Sequence, residues 1–99
     1  MANASNLQLK DDVVRGRDLH ARLIKFAMDH PELGGSEAWD ILRLWQCWQE
    51  TVTAHLNPED RQTFLNLKVS LAGRVKSLAY SSGCLASQLE YLENLLKRC

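Results

Sequence analysis

The sequence lacks the features that mark several large protein classes. Its only cysteines, Cys47, Cys84 and Cys99, have no short pair spacing, so the dense pattern of a secreted disulfide scaffold is missing. The longest stretch without a charge, residues 77–89, is too short and too polar to cross a bilayer. The opening "MANASNLQLKDD" lacks the basic-then-apolar pattern of a signal peptide. These absences predict a cytoplasmic protein without a membrane segment.

Signs of catalytic chemistry are also scarce. None of the histidines, His20, His30 and His55, has a second His, Cys or acid at metal-ligand spacing. The glycines form no phosphate-binding loop, and no serine stands in a GxSxG turn. We therefore expect no catalytic residue, no metal, no cofactor and no small-molecule substrate.

What the sequence does contain is helical periodicity. The stretches "DHPELGG" and "LNPED" interrupt it, and no segment alternates in the manner of a strand. We predict one all-α domain over residues 1–99, a bundle of three main helices at about 7–30, 37–56 and 58–98. On the first helix the pairs Asp11–Arg15 and Asp18–Arg22 predict a solvated charged face.

The third helix carries a sustained heptad pattern. Two sets of residues, each spaced by seven, occupy its d and a positions: Phe64, Leu71, Leu78, Leu85, Leu92, Cys99 and Lys68, Val75, Ser82, Leu89, Leu96. The register continues through "YSSGC", which favours one long helix, continuous or kinked. The alternative is a break near Ser81–Gly83 that closes a four-helix bundle.

The length of this helix motivates the main functional prediction. At about 60 Å it would be twice as long as its neighbours of about 30–35 Å. Its distal leucines would then stand bare, and ridges of that kind are rarely left in water. We expect these leucines to contact a second copy or a larger complex: Leu85, Leu89, Leu92 and Leu96. The predicted function is stoichiometric binding, as an adaptor, a chaperone-like cofactor, or a small regulator or inhibitor.

The three tryptophans divide into two groups. Trp45 and Trp48 lie on the apolar stripe of the second helix, which predicts that they are core residues. Trp39 projects on the polar side. A large aromatic there is either covered by another segment or exposed for binding. Cover by "PELGG" is the favoured alternative, and an extra anchor for a protein partner is the other.

A rival prediction comes from the basic region at residues 61–76. Lys68, Arg74 and Lys76 are candidate phosphate contacts for a nucleic-acid-associated helical protein. The formal net charge of zero opposes this, since nucleic-acid-binding domains are usually basic. A small all-helical enzyme is a more remote alternative.

Overall fold

The described part of the chain contains four helices. The computed structural model describes residues 4–29, 36–67 and 78–98. Within those ranges the structure is entirely helix, turn and cap, so the all-α prediction is confirmed. The predicted bounds 7–30 and 37–56 agree with the first two helices to within three residues. The helices are α1 (Ala4–Asp29), α2 (Ser36–His55), α3 (Pro58–Asn66) and α4 (Leu78–Lys97).

The first helix, α1, lies against both α2 and α4 and runs antiparallel to each. On the α2 side, Trp48 Nε1 donates a 2.7 Å hydrogen bond to Asp12 O. On the α4 side, Arg17 forms an ion pair with Glu93. In the described part of the chain, no helix is both long enough and apolar enough to cross a membrane.

Side-chain hydrogen bonds close the corner between α2 and α3. Asn57 caps α3: its Oδ1 accepts from Asp60 N at 2.8 Å, and Pro58 occupies the first turn. Arg61 donates to Thr53 O at 3.0 Å and to Leu56 O at 3.2 Å. These carbonyls lie at the end of α2, where intrahelical donors run out. The corner is therefore a defined turn that returns the chain along α2.

The prediction of one continuous third helix, residues 58–98, is wrong. Tyr91 Oη lies 2.7 Å from Asp60 Oδ1, although the two residues are 31 apart in sequence. In a straight helix they would be separated by about 46 Å. The chain therefore reverses between Leu67 and Leu78, and α3 lies antiparallel to α4. The alternative of a four-helix bundle agrees with the four helices of the described ranges. Its break does not lie near Ser81–Gly83, because these residues are helical within α4.

The hydrophobic core lies where the four helices meet. Trp45 is fully buried and Trp48 retains 6% exposure, so both core predictions are confirmed. The ring of Trp48 packs against Phe64 of α3 with centroids 5.7 Å apart. A Cβ at Gly16 would lie 2.5 Å from Leu89 Cδ2 and 2.6 Å from Trp48 Cζ2. Only glycine therefore allows α1 to approach its neighbours this closely.

One buried amide connects three of the helices. Gln88 of α4 is fully buried. Its Oε1 accepts from Trp45 Nε1 at 3.2 Å, and its Nε2 donates to Phe64 O at 3.5 Å. Because both partners are buried with it, this polar contact fixes the relative positions of α2, α3 and α4.

Candidate protein interface

The predicted leucine ridge faces the inside of the same chain. Leu85 and Leu92 are fully buried, Leu89 retains 5% exposure, and Leu96 is half-buried against the core. The expectation that these residues stand bare is wrong. The physical reason is that α4 starts after the chain has reversed, so α1 covers it along its length.

The other predicted contact residues have different outcomes. Trp39 keeps 48% of its surface exposed. The segment "PELGG", which we predicted to cover it, lies outside the described residues. Trp39 stays a candidate contact residue on α2. The candidate phosphate contacts Lys68, Arg74 and Lys76 lie outside the described residues, and their role stays a prediction.

The outer face of α1 carries apolar residues that the sequence argument missed. Leu7, Val14, Ala21 and Met28 are spaced by seven and all are exposed, with Leu7 at 64%, Val14 at 59% and Met28 at 76%. We call these four residues the outer strip. Seven residues are almost two helical turns, so the four side chains form one line along the helix. The available signal was this spacing, hidden among charges that suggested a solvated face.

Charges of opposite sign flank the outer strip. Lys10 and Arg17 stand three residues after Leu7 and Val14, whereas Asp11 and Asp18 stand four residues after them. Steps of three and four residues fall on opposite sides of a helical line. The strip therefore has a basic flank and an acidic flank over its first two repeats. In the third repeat these places are held by Ile24 and Lys25.

The basic flank lies towards α4. Arg17 reaches Glu93 of α4, and Ile24 lines a shallow depression with Ser82 of that helix. The guanidinium of Arg17 has five N–H donors, so the contact with Glu93 leaves donors for a further carboxylate.

A second surface feature is the groove between α1 and α2. It has a volume of about 280 Å³, and its lining includes Arg22, Leu44 and Cys47. Arg15, at its edge, is held by Asp12 through a 2.6 Å bond from Nη2 to Oδ1. Small-molecule sites usually begin at about 300 Å³ and are more enclosed by apolar side chains. The groove is therefore a weaker candidate than the outer strip.

The pKa of Tyr91 on α4 departs from its ordinary value. Burial, followed by the adjacent Asp60 carboxylate, raises the pKa of Tyr91 above the ordinary tyrosine value. Its hydroxyl donates to Asp60, so it serves the contact between α4 and α3. Within the described ranges, no three His, Cys, Asp or Glu residues are grouped as metal ligands.

Comparison with protein-family models, with curated proteins and with solved structures gives no match to this chain. Its function therefore has to be inferred from the exposed surface described above.

Proposed function

We propose that this protein acts by stoichiometric binding to another polypeptide chain, through the outer strip of α1. The observation that supports this is the unbroken spacing of Leu7, Val14, Ala21 and Met28 on the side of α1 that faces away from the core. Isolated exposed apolar residues are ordinary on protein surfaces. A line with one apolar residue in each heptad forms half of the a and d seam along which one helix packs on another.

The energy available from the strip suits a reversible contact. Burying a large apolar side chain completely contributes about 1.5–3 kcal/mol. Leu7, Val14 and Met28 are each more than half exposed, so together they offer roughly 3–6 kcal/mol. Association itself costs at least about 4 kcal/mol. To hold a partner, the strip therefore needs a further contribution from the flanking charges or from a second contact. Trp39 is our candidate for that second contact.

The proposed role is that of an adaptor, a chaperone-like cofactor or a small regulator, which works by binding and not by catalysis. We place it in the cytoplasm. Cys47 and Cys84 are unpaired thiols, as is usual in a reducing compartment.

Site-specific photo-crosslinking in cells tests the proposal. A benzophenone amino acid is placed at Val14 or Met28 of the full chain, with Gln46, an exposed residue of α2, as the matched control. We expect the same discrete protein adduct from both strip positions and none from Gln46. Mass spectrometry then identifies the adduct. Equal, diffuse labelling at all three positions would contradict the proposal.

A further inference from the structure

We infer that the partner on the outer strip is a second copy of this chain, with the two α1 helices side by side and parallel. This inference rests on the proposed function and names the partner. Self-association also fits a chain whose formal net charge is zero, because no overall repulsion separates its copies.

Parallel pairing about a two-fold axis aligns the two strips. Each strip residue then meets its own equivalent: Leu7 lies against Leu7 of the second copy, and Val14 against Val14 of the second copy. The same holds for Ala21 and Met28. Four apolar layers at heptad spacing result, without any shift of one helix along the other.

The flanking charges select this orientation. A two-fold axis along the helices brings the basic flank of one copy to the acidic flank of the other. Lys10 then faces Asp11 of the second copy, and Arg17 faces Asp18 of the second copy. The symmetry repeats both pairs, so every charge on the first two repeats meets an opposite charge. In the third repeat Ile24 faces Lys25 of the second copy, and no like charges meet.

An antiparallel pair has a poorer arrangement of charges. It would set Leu7 opposite Met28 and bring like flanks together. Arg17 would face Arg17 of the second copy, and Asp18 would face Asp18 of the second copy. The only opposite pairs would join Asp11 to Lys25. Like charges facing each other across an interface oppose association, so the parallel pair is favoured.

The size of the strip sets the expected affinity. From Leu7 to Met28 the helix rises about 32 Å, and a helix is about 10–12 Å wide. The footprint is then roughly 350 Å² per chain, below the ~800 Å² per partner of a standard stable interface. We therefore expect a reversible dimer with a dissociation constant in the micromolar range or weaker.

Sedimentation equilibrium tests whether the partner is a second copy. The full chain is measured with reductant at concentrations from about 10 µM to about 500 µM. We expect the mass to rise from 11.3 kDa towards twice that value. Val14→Asp should remain monomeric, whereas Leu44→Asp, at an exposed apolar residue of α2, should associate like the unmodified chain. Circular dichroism checks that both variants keep their helices, which their exposed positions predict.

Disulfide trapping tests the orientation. The native cysteines are first removed by Cys47→Ser, Cys84→Ala and Cys99→Ser. A chain that also carries Val14→Cys should form a disulfide-linked dimer on mild oxidation, because parallel pairing places the two thiols together. A mixture of Val14→Cys and Ala21→Cys chains that yields mainly the mixed dimer would overturn the parallel arrangement.

A mass that stays at 11.3 kDa throughout would overturn the second copy as the partner. The broader proposal then depends on the photo-crosslinks. An adduct from Val14 to a different protein would retain the proposed function and refute only the dimer.

Discussion

Replacing Gly16 with alanine puts one methyl group at the point where α1, α2 and α4 meet. The new Cβ would lie 2.5 Å from Leu89 Cδ2, and 2.6 and 2.9 Å from Trp48 Cζ2 and Cε2. Carbon atoms normally approach to about 3.5–4.0 Å, so the neighbours must move by about 1 Å. The end of Leu89 can rotate. The ring of Trp48 is held by its bond to Asp12 O and by Phe64, and it cannot move as easily.

The expected change in the free energy of unfolding is the sum of two opposing effects. Overpacking a filled core costs about 1–3 kcal/mol, and the rigid indole places Gly16→Ala at the upper end of that range. Alanine in a helix is favoured over glycine by about 1 kcal/mol. We therefore expect a net loss of about 2 kcal/mol in the free energy of unfolding. For a domain of this size that lowers Tm by roughly 10 °C.

Gly83 provides the matched control. It is exposed and helical in α4, and a Cβ there meets no atom within 4 Å. Gly83→Ala should therefore stabilise the chain by about 0.5–1 kcal/mol. Urea unfolding followed by tryptophan fluorescence and circular dichroism measures both variants. If Gly16→Ala unfolds at the same or a higher urea concentration than the unmodified chain, the close packing of α1 at Gly16 is refuted.

Three further predictions concern the core and the contact between α3 and α4. Gln88→Leu leaves the buried Trp45 Nε1 without its acceptor and should cost about 1–3 kcal/mol in urea unfolding; an unchanged midpoint would contradict this. Leu89→Asp should unfold the whole chain, seen as lost helical circular dichroism, since Leu89 is buried; a folded variant that only loses self-association would restore the bare-ridge prediction. The raised pKa of Tyr91 means that its contribution to stability is complete below the ordinary tyrosine pKa of about 10 and is lost as pH rises through the raised value. Tyr91→Phe should therefore flatten the fall of the unfolding free energy above about pH 10, measured by urea titrations at several pH values, and an unchanged slope would count against it.

The sequence was sufficient for the helix class because periodicity and caps are local. Pro58 marks the start of α3, and the apolar stripe of α2 placed Trp45 and Trp48 in the core. The separation of α3 from α4 could not be predicted from the sequence. A heptad pattern records which face of a helix is buried, and two helices packed on the same core keep that pattern as one long helix does.

The outer strip escaped prediction for a different reason. One apolar residue in seven is too sparse to stand out among charges, and the expected pair Asp11–Arg15 supported a solvated face. In the structure Arg15 instead bonds Asp12, a buried carboxylate on the neighbouring line of the helix. Side-chain pairing of this kind depends on which neighbour is desolvated, and burial is set by the packed helices and not by sequence spacing.

The shortness of α3 has a consequence for how this chain opens. α3 has nine residues, and helices shorter than about 12–15 residues are marginal in water by themselves. Its backbone and its first turn are held by Gln88 and Tyr91, both on α4. Helix formation in α3 and docking of α4 therefore occur together, as one cooperative unit. In hydrogen exchange, the amide protons of α3 should therefore show the same opening free energy as those of α4. Any event that loosens α4 then also exposes the amides of residues about thirty positions earlier in the chain.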